Sequence, residues 1–476
     1  MDFFSIILFL ALYYVRPQEW IPGAGALQLL RVSVAMAIIS LLTRDRGLRW
    51  RDFFRTPYDW FMAAYFFWMV FAATDPGRVF GLMYNIFIFY WVTVITLDSI
   101  ERIQKFLNWW AIFISVMATI ALLNEWGILN VNDSYDMTHG MMKDRLTLNL
   151  GIFNNPNALG HSIVPAAVML YFIGVWGRPI FARMLTPLAM AMPIYCIFLT
   201  YSKGAFLTGF ATLVTALSFK RPKYVQVAIL IVSATVGWVA VQNLPRMGEL
   251  SSSKTDQAIQ GRVKAFKFGY EKMQSEFYGL GYPNFHDRFY QRFHFRKSPH
   301  SSYVCIGAEL GKVGLFMFLS MLYFCFRTLL IAKTTTDAEE RVRRILFVLL
   351  ISYVVSSWMI AWHNRVIYWL MIAACGAFHR LMLDKNKNPV ELQPATAEVM
   401  SAPLLGFGAL QPATVGHGGI VTQITLPPAA TTTEVATTTT TDVGIKWNRL
   451  RWYDWLNMYL ILQAVIWFWH YMMQHM

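Results

Sequence analysis

An all-α, polytopic integral membrane protein is the fold class this sequence predicts. Three observations point there. Of the 476 residues, 56% are hydrophobic and only 14% are charged, where a soluble globular protein carries about a quarter charged residues. Aromatic residues make up 16% of the chain and the mean hydropathy is +0.41. The apolar residues come in continuous runs rather than in strand-like alternation. Helical spans, not a β-barrel, therefore satisfy the backbone inside lipid.

Apolar stretches fall at about 3–15, 27–42, 59–74, 80–97, 107–128, 158–176, 186–200, 204–219, 225–242, 303–331, 345–362 and 366–383. That predicts about 12 transmembrane helices, several of them shorter than the usual ~20 residues. The first is led by Met1-Asp2 without a basic region and runs into Arg16-Pro17-Gln18-Glu19 without a small-residue cleavage site, so it reads as a retained span. Loop 43–55 carries Arg44, Arg46, Arg49, Arg51 and Arg55 and is expected on the cytoplasmic side. Alternation then puts Asp98–Phe106, Gly177–Leu185, Lys220–Lys223 and Lys333–Arg344 on that side too. All four are short and carry Lys or Arg. The same alternation puts four stretches outside: 129–157, Tyr201-Ser202-Lys203-Gly204, 243–300 and Trp362-His363-Asn364-Arg365. The pair of segments flanking Lys203 reads as two short helices meeting near the outer surface.

The outer stretch 243–300, between spans 9 and 10, is a large periplasmic loop with ten Lys/Arg against five Asp/Glu. Long loops cross regardless of charge, but an excess of cations outside asks for an anionic ligand. After Leu383 the composition shifts. Residues 384–450 are rich in Ala, Thr and Pro, with a Thr run at 437–441, and are expected to be a disordered cytoplasmic linker. Residues 451–476 turn apolar and aromatic again, as in an interfacial helix or an extra span. The organisation expected is thus a 1–383 transmembrane domain, a linker and a C-terminal helix.

Cys196, Cys305, Cys325 and Cys375 all lie in apolar segments without CxxC or Cys/His pairing, so they read as small buried hydrophobes. No Walker motif and no strand-borne glycine-rich loop is present. Glu309 stands alone in the tenth span, and no His/Asp/Glu set has metal-ligand spacing. Neither a metal nor any other cofactor is expected.

A few residues remain as candidates for chemistry. His300 stands where the long loop re-enters the membrane, before Ser301-Ser302-Tyr303. Its imidazole titrates near neutrality and can take a proton from a sugar hydroxyl; the plainer reading is an interfacial hydrogen bond, and His286 and His294 share the loop. Arg262 opens an amphipathic stretch after Gly261. A guanidinium clamps phosphate with two parallel hydrogen bonds, and a helix beginning near Gly261 would add its positive end; the plainer reading is a solvated basic face. Lys203, between two apolar segments, is either a phosphate partner or a snorkelling helix-end lysine. Arg145 and Arg365 are outer cations that add charge to the same cavity or simply anchor at the interface. The run Asn154-Asn155-Pro156-Asn157-Ala158-Leu159-Gly160-His161 reads as a helix start.

Taken together, Gly151-Ile152-Phe153-Asn154-Asn155-Pro156-Asn157, Tyr201-Ser202-Lys203-Gly204-Ala205, Gly261-Arg262, Gly279-Leu280-Gly281, His300-Ser301-Ser302-Tyr303 and Glu309-Leu310-Gly311 resemble the O-antigen ligase / O-antigen polymerase superfamily of bacterial envelope proteins. The resemblance covers about residues 140–380, and the N-terminal portion is similar to the subgroup described as O-glycosylation ligases. It implies an architecture similar to polytopic lipid-linked glycosyltransferases in the bacterial inner membrane. The implied reaction moves a glycan from undecaprenyl diphosphate to an acceptor hydroxyl, on lipid A core or a protein Ser/Thr, on the periplasmic face, without metal or nucleotide. The family's loop histidine maps onto His300 and its loop arginine onto Arg262. Two departures stand out: Lys203 where the family often has Arg, and Ser301 where Asn commonly follows the histidine. Lysine keeps the charge but loses the bidentate fork. Donor diphosphate binding is therefore expected from Arg262 and Lys203 with Arg365 and Arg145, and acceptor activation from His300. A near alternative is a polymerase joining lipid-linked repeat units; a distant one is a polysaccharide transporter or flippase, though the repeated halves common in transporters are not evident here.

Overall fold

The computed structural model describes residues 2–21, 23–43, 50–129, 131, 145–148, 150–243, 257–387 and 444–475. The part of the expected linker at 388–443, the loop residues Arg44, Arg46 and Arg49, and residues 244–256 of the long loop lie outside the described residues. The chain is all-α: among the described residues the single departure is an isolated bridge between Lys333 and Gly444.

Each of the twelve apolar stretches falls on a helix. In order these are α1 (Asp2–Val15), α2 (Leu29–Leu42), α3 (Pro57–Phe71), α4 (Pro76–Thr96), α5 (Ile100–Glu125), α6 (Pro156–Leu170), α7 (Ile180–Leu199), α8 (Lys203–Ser218) and α9 (Lys223–Asn243). Two helices follow inside the long polar stretch, α10 (Gln257–Ser275) and α11 (Phe285–Phe293). Then come α12 (Ser302–Ile331), α13 (Asp337–Met359), α14 (Val366–Lys387) and α15 (Trp452–His475). Among the described residues, seven helices are long and apolar enough to cross a membrane: α4, α5, α6 with its π-helical end to Val175, α7, α12, α13 and α14. The protein is a multi-pass membrane protein.

Local chemistry explains where the helices begin. Pro57, Pro76 and Pro156 stand in first turns, where a missing N–H costs nothing. Asp75, Ser99, Asn155, Ser202, Ser301 and Thr336 each accept a backbone N–H from the first turn, which satisfies one otherwise orphaned donor apiece.

The two ends of the bundle differ. At one end Arg341 Nη2 donates to the Trp176 carbonyl and Arg344 Nη1 to the Phe219 carbonyl, each at 3.2 Å. Three of the short basic loops thus meet on a single side, as their charge predicts. At the opposite end Arg145 Nε donates to the Thr200 carbonyl and its Nη2 to Asn157 Oδ1, each at 2.9 Å. At the first of these ends, in the first turn of α3, fully buried Asp59 accepts from Thr56 N–H at 2.7 Å and from the Tyr90 hydroxyl at 2.9 Å, and lies 3.0 Å from Arg380 Nη2. A buried charge persists only with such partners.

Helix α12 breaks at Gly311, which adopts φ 67° and ψ −170°, a region essentially reserved for glycine. A Cβ there would meet the Phe277 carbonyl. The break opens the carbonyls just before it to outside donors. Leu280 N–H reaches the Ala308 carbonyl and Gly281 N–H the Glu309 carbonyl, both at 2.9 Å, and Trp68 Nε1 reaches the Leu310 carbonyl at 2.9 Å. Phe285 N–H donates to the Glu309 carboxylate at 3.0 Å. Gly279-Leu280-Gly281 and Glu309-Leu310-Gly311, far apart in sequence, are two halves of one joint that fastens the polar stretch to the bundle. Above the joint, Ala265 and Phe268 of α10 pack on Leu280, Phe285 and Phe289 in a small core of their own.

Candidate functional site

The site is built outward from the entry to α12. Ser301 Oγ accepts the Val304 N–H at 3.5 Å and donates to the Ser357 carbonyl at 3.2 Å. Ser302 Oγ donates to the Ile360 carbonyl at 3.1 Å and accepts the Trp362 N–H at 2.8 Å. The Tyr303 hydroxyl donates to the Val354 carbonyl at 3.0 Å. Three consecutive polar side chains thus bolt the entry to the end of α13. Serine serves as the cap here, a task asparagine performs equally well, so the Ser301 departure leaves the entry intact.

His300 sits immediately before this bolt with φ 49°, in the left-handed region. A side-chain-bearing residue there is disfavoured by about 1–2 kcal/mol; such outliers gather at functional sites. Its own N–H donates to Ser298 Oγ at 3.3 Å. The imidazole is half-buried. Burial first, then the nearby cations of Arg262 and Lys297, hold its pKa down to about 4. The ring is therefore neutral at neutral pH.

Arg262 lies in the second turn of α10, half-buried. The sequence placed a helix start near Gly261; the structure begins the helix at Gln257 instead, so the N-terminal dipole does not sit at Arg262. Gly261 has a different task. A Cβ there would come within 3.2 Å of Lys297 Cε, so the glycine lets the lysine stem lie across the helix and bring a second cation beside His300. Lys297 is a residue the sequence reading missed; its only signal was adjacency to His300.

Lys203 is the first residue of α8, exposed, behind the Ser202 cap. Its neighbour Gly204 packs against the His161 ring so closely that a Cβ would stand 2.8 Å from Nε2. His161, read from sequence as part of a helix start, is buried, with Nδ1 2.9 Å from Ser356 Oγ and 3.4 Å from Thr208 Oγ1. Arg262 acts electrostatically on both His161 and His300. The start of α8, the middle of α6, the first turns of α10 and the entry to α12 therefore converge, and they bring Arg262, His300 and the Lys203 turn together.

The other two cations sit differently. Arg145 spends its guanidinium on the Thr200 carbonyl and Asn157, pinning the end of α7 to the start of α6. Arg365 is exposed on the turn after α13 and acts on Tyr282 and His363. Beside α10, a polar groove of about 450 Å³ is lined by Phe268, Lys272, Glu276, Leu280, Arg288, Gln291 and Arg292. Among the described residues, no three His, Cys, Asp or Glu side chains converge to hold a metal.

Residues 188–319, from within α7 past the break in α12, match the family model described as O-antigen ligase. Over this segment the chain is similar to the O-antigen ligase family. Lys203, Arg262 and His300 fall inside the matched segment, and Arg145 and Arg365 outside it. The match supports a glycan-handling function of the ligase or polymerase type, in keeping with lipopolysaccharide biosynthesis. No curated protein matches the chain.

Proposed function

We propose that this protein transfers a glycan from undecaprenyl diphosphate to an acceptor hydroxyl, on lipid A core or a protein Ser/Thr, at the periplasmic face of the bacterial inner membrane. Residues 1–383 form the transmembrane body and 243–300 its periplasmic cap. The observation that carries this reading is the neutral His300 beside the Arg262 cation at a membrane re-entry point.

Arg262 and Lys203 hold the donor diphosphate, with Arg145 and Arg365 adding positive charge at the flanks. The acceptor oxygen attacks the anomeric carbon while His300 takes its proton. The bond from the anomeric carbon to the phosphate oxygen breaks, and undecaprenyl diphosphate leaves with the electron pair. Fixed cations stabilise that developing charge. A single displacement inverts the anomeric centre, and no step calls on a metal.

Donor binding also prepares the base. In the free protein burial first, then the cations of Arg262 and Lys297, hold His300 at about 4, which makes it a weak base. A bound diphosphate offsets those cations, and a nearby anion favours the protonated imidazole. His300 thus gains basicity when the donor is seated.

The test is the purified protein in lipid nanodiscs with an undecaprenyl diphosphate-linked glycan and acceptor. The native chain should release undecaprenyl diphosphate and form an acceptor-linked product. His300→Ala should lose roughly 10²–10⁴-fold in rate, the usual worth of a general base, and Arg262→Ala should be equally silent, with donor accumulating in cells. Normal transfer by either variant refutes the assignment. A product that stays on undecaprenyl would mark a polymerase, and an intact glycosyl–phosphate bond a flippase.

A further inference from the structure

The C-terminal helix α15 stands outside the matched family segment and outside the chemistry above, yet its contacts run the full length of α12. At one end, fully buried Asp454 lies 3.1 Å from Arg327 Nη1 and accepts the Tyr323 hydroxyl at 2.8 Å. Arg327 also sits 3.7 Å above the Trp447 ring, and the Trp447 carbonyl lies 3.1 Å from His379 Nε2 on α14. Further along, Trp455 stacks on Phe316. At the far end, Trp469 is fully buried where α12 begins. Its ring is wedged between Gly307 of α12 and Gly269 of α10; a Cβ on either glycine would stand 2.9 or 3.2 Å from ring carbons. Its Nε1 donates to the Phe266 carbonyl of α10 at 3.2 Å.

The contacts run in opposite order along the two helices, 454 to 469 against 327 to 307. The pair is therefore antiparallel, and α12 is one of the seven candidate spans. Helix α15 is not among the seven candidate spans, because its many Trp, Tyr and amide residues lower its hydropathy, but its 24 residues reach about 36 Å at 1.5 Å per residue, against a hydrocarbon core of about 30 Å. Trp452, Trp455, Tyr459, Leu460, Trp467 and Tyr471 stay exposed along it, as on a lipid-facing surface with aromatic residues near both interfaces. Phe266 is one helical turn after Arg262, on the same face.

We infer that α15 crosses the membrane antiparallel to α12 and that Trp469 is a positioning residue, clamping α10 so that Arg262 faces the site. An interfacial helix cannot make both sets of contacts, because they lie at opposite ends of a spanning helix. The wedge needs two glycines because an indole fits between helices only where both partners lack a side chain. The positioning half rests on the reading of Arg262 as a diphosphate ligand; the crossing does not.

Two measurements on the full chain test this. First, the single variants His475→Cys and Asn448→Cys, both at exposed positions, are probed with a membrane-impermeant maleimide in intact, outer-membrane-permeabilised cells; the native cysteines are all buried. The His475→Cys variant should react from outside and the Asn448→Cys variant only after lysis; labelling of both from one side overturns the crossing. Second, undecaprenyl diphosphate binding is measured in nanodiscs for the native chain, Arg262→Ala, Trp469→Ala and Trp469→Phe, with melting temperatures alongside. Trp469→Ala should weaken binding about tenfold, a loss of about 1.4 kcal/mol, and Trp469→Phe, which keeps an aromatic wedge, should recover most of it. A Trp469→Ala protein that binds like the native chain, or a Phe variant as weak as the Ala variant at equal melting temperature, overturns the positioning role. Native-like binding by Arg262→Ala would instead defeat the diphosphate assignment, while the labelling still decides the path of α15.

Discussion

Replacing Arg262 should raise the pKa of His300 in the free protein, and the size of the change can be bounded from the structure. His300 is held at about 4 against an ordinary imidazole value of 6.5, a drop of 2.5 pH units. Burial is the largest cause and Arg262 the second, so the arginine accounts for at most half. A contribution of about 0.5–1 pH unit corresponds to about 0.7–1.4 kcal/mol. The assay is the pH dependence of diethylpyrocarbonate modification, which requires neutral imidazole, followed at the His300 peptide by mass spectrometry. In the native protein the modification rate should fall only as pH drops toward 4; in Arg262→Ala the fall should begin about half to one pH unit higher. Saturating undecaprenyl diphosphate should move the native curve the same way. An unchanged curve in Arg262→Ala would break the electrostatic link on which the proposed chemistry rests.

Other outcomes follow from the same geometry. Gly311→Ala places a Cβ against the Phe277 carbonyl at φ 67°, so it should cost at least about 1–3 kcal/mol, read as a lowered melting temperature in detergent with increased proteolysis of α10 and α11. Asp59→Ala leaves Arg380 buried without its carboxylate, a loss of about 3–5 kcal/mol, measurable as reduced folded yield and earlier thermal aggregation. Lys203→Arg should retain transfer, because charge and helix position persist, whereas Lys203→Ala should raise the donor concentration needed for half-maximal rate; equal loss in both would remove Lys203 from diphosphate binding. Gly261→Val should push the Lys297 stem aside and thereby raise the His300 pKa, read by the same modification assay.

Much of this protein was legible in the linear chain, because the bilayer imposes a one-dimensional rule. Each backbone polar group inside lipid must bond within its own segment, so runs of apolar residues report helices directly, and every one of the twelve stretches lies on a helix. Short basic loops were also legible, and the stretch carrying Arg341 and Arg344 does meet the loops at Trp176 and Phe219 at one end of the bundle. The residue types at 203 and 300 were visible for the same reason, since each stands beside an apolar boundary, whereas Arg262 was visible only as a cation opening an amphipathic stretch of the long loop. What linear reading could not reach was pairing at a distance. Gly279-Leu280-Gly281 and Glu309-Leu310-Gly311 look like ordinary glycine turns until the break at Gly311 is seen to expose carbonyls that Leu280 and Gly281 satisfy. Lys297 lies beside His300 in sequence, but only the packing over Gly261 makes it a neighbour of Arg262's helix. The seat of Trp469 between Gly269 and Gly307 joins three segments that share no local pattern. Helix identity depends on single segments, so composition determines it; a site depends on which ends of several helices meet, and only tertiary contacts decide that.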